Sequence, residues 1–475
     1  MARTHSDIGL SRLWTVSRGT GSLSPVDLAT AACVTVSTVL VGIFVPTAAV
    51  WVLVTSAIVL GTVYFALAGT NAVLAAVLIV SPLVVGAQRV PFVGVQFWGL
   101  LLPLLAFALT YRLLVAWVSG ARARCTKSDL VAALLFLWLV LSYVSAGSRD
   151  VDLRLFAQWT AIPFLMYVAG RVAFSGAHPG RWMMVVAVGA SLAAVETFIE
   201  LRLGRPLFDA AGTYEWSGDA YRAGSMLQGP NFAAIYFAMS LAVLLPLVNR
   251  ANVQGRWAAL IAVLLPTTYI ATRSIGGSIV MGVALAGALI ARGSWVLRGF
   301  VVAAMLLLLS PPVRTLIAEQ EFFAAHNVSI ATRVDVIQSA KIAAEYLQRD
   351  PTRIVSGAGY GQWQRIGGQF AIGEAATTPG QSLENTYLAL LLEDGLPAAG
   401  LFVILIILSV WNGWSRRADP VALGGALAAL VLAIAAGTGT LLVIPQVLGL
   451  ALFLLPAAYT AYVVPSRTAP VGRRL

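Results

Sequence analysis

The sequence predicts an all-α polytopic membrane protein of about fourteen transmembrane helices, twelve at the fewest, with one long extracytoplasmic loop that holds amphipathic helices. Three observations predict it. The 475-residue chain is 59% hydrophobic and 11% charged, with a mean hydropathy of +0.85. A water-soluble domain is nearer about 45–50% apolar and about 25% charged, because its surface must meet water. Apolar runs long enough to cross a bilayer, about 20 residues each, recur along the chain. Basic residues gather in alternate loops, as the positive-inside rule requires. These features exclude a soluble globular domain and a disordered chain, and two cysteines are too few for a disulfide framework. The net charge of +11 is accounted for by basic loops and calls for no nucleic acid.

Residues 1–26 are polar and basic (Arg3, Arg12, Arg18) and read as a cytosolic tail ahead of an uncleaved first span. Residues 27–313 hold about eleven apolar runs, among them 129–146, 157–175, 182–202, 229–249 and 275–291. Residues 314–396 form the long loop, 397–463 hold about three more runs (397–412, 420–437 and 442–463), and 464–475 form a second cytosolic tail. With both termini inside, Arg122, Arg124, Lys127, Arg171, Arg181, Arg416 and Arg417 fall on the cytosolic side, with Asp129 and Asp419 among the few acids beside them. In the long loop, Ile330–Leu347 places Val334, Ile337, Ala340, Ile342 and Leu347 roughly at helical spacing and reads as an amphipathic helix near the membrane surface. Asp350-Pro351 ends it, a glycine-rich turn follows at Gly357–Gly361, and a helix resumes near Asn385. No P-loop occurs, so the energy for any chemistry comes from a substrate or a gradient.

Arginine at membrane depth is costly and asks for a reason. Arg222, Arg273 and Arg333 stand at outer membrane ends or on the amphipathic helix. Each can snorkel to lipid phosphate; together, their guanidinium forks suit the oxygens of a pyrophosphate without a metal. Glu384 beside Asn385 suits a general base with an amide to orient a hydroxyl, or a helix-capping pair. Asp150 and Asp152 could hold a divalent cation, yet between Arg149 and Arg154 they read more simply as a salt-bridged turn. The three histidines, His5, His178 and His326, have no metal spacing, so neither metal nor cofactor is expected.

Five segments in order resemble the bacterial O-antigen ligase and polymerase superfamily of membrane glycosyltransferases. They are Arg222-Ala-Gly224 with Pro230-Asn231 opening a span; Thr272-Arg-Ser274-Ile-Gly-Gly277 opening another; Arg333; Gly357-Ala-Gly359-Tyr-Gly361; and Glu384-Asn385-Thr-Tyr-Leu388 with Glu393-Asp-Gly395-Leu-Pro397. The resemblance covers about residues 220–412 and implies a helical, GT-C-like fold in the cytoplasmic membrane. It implies transfer of a glycan from an undecaprenyl-pyrophosphate-linked donor to a hydroxyl of a glycan or lipid-glycan acceptor, on the outer face and without a cofactor. On that reading Arg222, Arg273 and Arg333 hold the pyrophosphate, Glu384 is the base with Asn385, and Gly224, Asn231, Gly357, Gly359 and Gly361 shape the site. Two departures stand out. Ligases typically carry His-Asn where this chain has Glu384-Asn385, which leans the reading toward a polymerase-like transferase, and Arg273 is displaced within its motif. The rival base is His326, whose His326-Asn327 pair lies outside the matching context. A transporter or flippase of lipid-linked saccharides, an envelope scaffold and a metal-dependent transferase using Asp150 and Asp152 are the alternative readings.

Overall fold

The computed structural model describes residues 70–83, 105–106, 109–110, 125–146, 153–176, 178–204, 214–217, 220–223, 230–248, 275–292, 344–348, 352–362, 385–438 and 445–460, with the single positions 227, 350 and 441. In chain order the helices are α1 (Thr70–Val80), α2 (Lys127–Ser145), α3 (Leu153–Phe156), α4 (Ile162–Phe174), α5 (Pro179–Leu203), α6 (Pro230–Val248), α7 (Ile275–Arg292), α8 (Arg353–Ser356), α9 (Thr386–Ser415), α10 (Pro420–Thr438) and α11 (Pro445–Leu454). A π-helical turn, Ala157–Ala161, joins α3 to α4, and a 3-10 turn, Leu455–Ala458, extends α11. One antiparallel hairpin, β1 (Tyr214–Ser217) and β2 (Ala220–Ala223), lies between α5 and α6, in register Glu215 opposite Arg222. The described chain is otherwise helical, and five of its helices (α2, α5, α6, α9 and α10) are long and apolar enough to cross a membrane.

α10 is the hub. It packs on α6, α7 and α9, while α11 packs on α4 and α2 packs on α9. Small residues make this closeness possible: a Cβ on Gly425 would stand 2.4 Å from the Ala458 nitrogen, and one on Gly170 would stand 2.0 Å from the Phe453 carbonyl oxygen. Helices in lipid gain little from the hydrophobic effect between them, so such backbone approach supplies the van der Waals packing.

The outer surface of the bundle is apolar, and regularly so. On α2 the exposed row is Leu130, Leu134, Leu137, Leu141 and Val144; on α5 it is Val188, Leu192, Val195, Ile199 and Leu203. Steps of three and four residues keep each row on one helical face. A soluble protein does not leave such stripes in water, and lipid is the solvent that suits them. The protein is therefore a helical membrane protein.

α9 is broken at Gly395, whose backbone (φ 83°, ψ 175°) is not helical. Leu396–Ser415 is then a continuous segment of about 30 Å at 1.5 Å per residue, enough to cross the hydrocarbon by itself. Thr386–Asp394 stands ahead of it as a short helix at the mouth of the span.

Candidate functional site

The break in α9 follows from two residues, Gly395 and Pro397. Pro397 has no N–H, so the Glu393 carbonyl four residues earlier loses its helical partner. Gly395 leaves the helical region and releases the Leu392 carbonyl as well. The glycine turn after α8 satisfies both: Ala358 N–H donates to Leu392 O at 2.8 Å and Gly359 N–H to Glu393 O at 2.7 Å. Gly361 N–H donates to Glu393 Oε2 at 3.1 Å. The third carbonyl at the break, that of Asp394, accepts the Trp138 indole N–H from α2 at 2.7 Å.

Glycine is required on both sides of this joint. A Cβ on Gly357 (φ 69°) would lie 2.2 Å from Glu393 O, and one on Gly395 would lie 2.0 Å from Val355 O. Gly359 (φ 105°) and Gly361 (φ 74°) also occupy positive-φ backbone that L side chains rarely adopt. The turn then delivers Tyr360 into the bundle, where its hydroxyl shares a 2.9 Å hydrogen bond with Thr160 on the π-helical turn. The Tyr360 ring meets Phe156 and Tyr143 edge-on. Burial pushes the Tyr360 hydroxyl above its ordinary value, so the phenol stays neutral. Below it an apolar crevice is lined by Leu135, Trp159, Phe164, Phe402 and Leu452.

Two carboxyl groups meet at the break in unlike settings. Glu393 is held by the turn through Gly361. Asp394 is fully buried, and neither of its carboxyl oxygens has a hydrogen-bond partner.

Asn385 is the N-cap of α9: its Oδ1 accepts from Leu388 N–H at 3.0 Å, while its Nδ2 donates to Gly437 O at 3.2 Å. Thr386 Oγ1 accepts from Leu441 N–H and Tyr387 OH donates to Ala433 O, so three successive residues tie the start of α9 to the end of α10. The Asn385 amide is thus engaged in capping and tying, the alternative its position before a helix had offered.

Of the other expected site residues, Gly357, Gly359 and Gly361 shape the joint as described. Asn231 is the second residue of α6 and is exposed. Arg222 lies on β2 opposite Glu215, and β2 packs against α5. Glu384, Arg273, Arg333 and Gly224 lie outside the described residues, as do Asp150, Asp152, His326 and all of the expected amphipathic helix before residue 344.

Sequence reasoning passed over three acids. Asp394 is one. Glu196 and Glu200 are the others, one turn apart on α5 and both buried, toward the end that meets β2. Their signal was present as two carboxylates at i and i+4 inside an apolar run. Among the described residues no group of three or more His, Cys, Asp or Glu side chains could hold a metal ion.

At the opposite end of the bundle a second polar network joins five helices, α2, α4, α9, α10 and α11. Asp129 closes a capping box with Thr126 at the start of α2 and accepts from Arg171 Nε at 3.1 Å and from Tyr167 OH at 3.1 Å. Arg171 also donates to Thr460 Oγ1, and Arg416 donates to Thr460 O and pairs with Asp419. Each of its polar groups meets one of opposite character, so it reads as a structural clasp. The chain matches no protein-family model and no curated protein.

Proposed function

We propose that the protein is a glycosyltransferase of the cytoplasmic membrane, with a GT-C-like bundle of 12–14 spans, that moves a glycan from an undecaprenyl-pyrophosphate-linked donor to an acceptor hydroxyl on the outer face. The observation that carries this reading is the joint between the Gly357–Gly361 turn and the Glu393–Gly395 break. Two of the five segments that resemble the ligase and polymerase superfamily, 32 residues apart at Gly361 and Glu393, meet in one contact that requires glycine on both sides, at the mouth of a span. A site at that height suits a substrate whose lipid lies in the bilayer and whose sugar lies in water.

In this mechanism the acceptor oxygen attacks the anomeric carbon while the bond from that carbon to the pyrophosphate oxygen breaks. The electron pair leaves with undecaprenyl pyrophosphate, and the acceptor proton goes to the Glu384 carboxylate. Attack opposite the leaving group inverts the anomeric centre. Arg222, Arg273 and Arg333 hold the departing charge, a role in which guanidinium matches pyrophosphate geometry better than lysine. No divalent cation takes part.

The test is transfer by purified protein in proteoliposomes, with lipid-linked donor and candidate acceptors in chelator. Glu384→Gln should lower turnover by about 10²–10⁴ with little change in donor binding. A fully active Glu384→Gln beside a dead His326→Ala would move the base to His326, and a strict requirement for magnesium together with loss in Asp152→Ala would favour the metal-dependent reaction. A second reading, a transporter of the same lipid-linked saccharides, is favoured by Glu196 and Glu200, since buried carboxylates within a span suit proton-coupled movement. Donor that changes leaflet without forming a new glycosidic bond would establish it.

A further inference from the structure

The Asp394 carboxyl is sealed at the joint with neither oxygen partnered. A carboxylate taken out of water is stable only where several donors replace its hydration. Among the described residues, the donors within reach are committed elsewhere. The turn amides of Ala358, Gly359 and Gly361 go to Leu392 O, Glu393 O and Glu393 Oε2, and the Trp138 indole goes to the Asp394 carbonyl. What remains beside the carboxyl is the Ser142 hydroxyl of α2, itself buried and unpartnered.

Among the described residues, the charged and titratable groups around Asp394 supply no counter-charge. Glu393, on the same helix, is of like sign. Tyr360 on the turn is a buried phenol bonded to Thr160. On α8, which packs on α9, Arg353 is engaged by Asp350 and lies over the Tyr346 ring. From the described residues of α2 come Ser142, Trp138 and the buried Tyr143 phenol that lies edge-on to Tyr360, none of them a cation.

We propose that Asp394 is a proton-binding site that fastens the glycine turn to the membrane helix: the carboxyl enters the joint with its proton, directs it to the Ser142 hydroxyl, and gives it up when the turn lifts away. This goes beyond glycosyl transfer and holds equally for a transporter. Docking takes up one proton, because the docked carboxyl holds its proton more tightly than the water-exposed carboxyl of the open joint. Docking is therefore complete at low pH and is lost as pH rises through the docked group's titration, by up to about tenfold per pH unit.

Hydrogen exchange of the full chain in nanodiscs, corrected for intrinsic rates and followed from about pH 6 to about pH 10, reads the joint directly through the amides of Ala358, Gly359 and Gly361. In the wild type their protection should fall with rising pH, while the α10 amides stay protected. Asp394→Asn keeps the neutral shape, so its turn should remain protected with no pH dependence. Three outcomes would overturn the proposal. They are pH-independent protection in the wild type, a turn that exchanges freely in Asp394→Asn while α10 stays protected, and a pH dependence that survives the asparagine and so belongs to Glu393.

Discussion

At the scale of single residues, the joint makes a sharp demand on two glycines, Gly357 in the turn and Gly395 in α9. Gly395→Ala would force an alanine to φ 83° and set its methyl 2.0 Å from the Val355 carbonyl. Strain of that kind costs about 1–3 kcal/mol before the clash is counted. Gly400 on the same helix is the control, since a Cβ there meets nothing within 4 Å. Gly400→Ala should leave thermal unfolding in detergent unchanged or slightly raised, and Gly395→Ala should lower it and strip protection from the turn amides. Equal effects of the two substitutions would mean that the turn does not rest on the break. The glycines were legible in the sequence as a dense run, and Asn385 as a residue of helix-start type. Asp394 was not legible, because the α2 residues that enclose it, Trp138 and Ser142, lie far away in the chain. Glu196 and Glu200 were hidden differently: an apolar average over the run absorbs two carboxylates, and only packing tells which face they occupy.

At the scale of elements, α8 and α9 together carry an apolar surface that continues from the loop into the span. Ile354 and Val355 are exposed on α8, Leu396 is exposed just after the break, and Val403, Ile407 and Trp411 follow down α9 at steps of four, with Ile404 beside them. Because the Val355 carbonyl meets Gly395, the two loop residues stand at the head of the stripe. The outer-leaflet lipid that covers the stripe should cover them too. A tryptophan placed by Val355→Trp, in a background freed of other emitters, should be quenched by brominated lipid more than by aqueous iodide. The reverse order would put α8 in water. The limits of α5, α6, α7 and α10 were readable from hydropathy to within about three residues, since a span is fixed by composition and length. The break in α9 was readable only in part. Pro397 marked the run beginning there, but Thr386–Asp394 continues the same helix because the turn rescues the carbonyls that proline and glycine release. The hairpin and the π-helical turn left no periodic signal, as both are short and set by what they pack against.

At the scale of the whole molecule, the two polar clusters lie at opposite ends of the bundle, which gives the loop-charge pattern a structural counterpart. Lys127 and Asp129 open α2, Arg171 closes α4, Arg416 and Asp419 join α9 to α10, and Thr460 follows α11; these segments, all assigned to one side by the positive-inside rule, meet in the clasp around Asp129 and Thr460. α2 then runs to Ala146, whose methyl lies close to Gly359 of the turn, so the joint is at the other end. An error of one span anywhere between these segments would have separated residues that the structure brings together. The charge rule names the clasp end as cytosolic, and a native reporter stands there: Cys125 is exposed, one residue before the Thr126 cap. An impermeant maleimide added to intact cells should leave Cys125 unlabelled and should label Ser356→Cys beside the joint; permeabilised cells should label both. Placing Ser415→Cys at the end of α9 repeats the test on a second helix that ends at the clasp. Labelling of Cys125 and Ser415→Cys from outside, with Ser356→Cys protected, would invert the molecule and turn the glycine joint toward the cytosol, where transfer on the outer face could not take place.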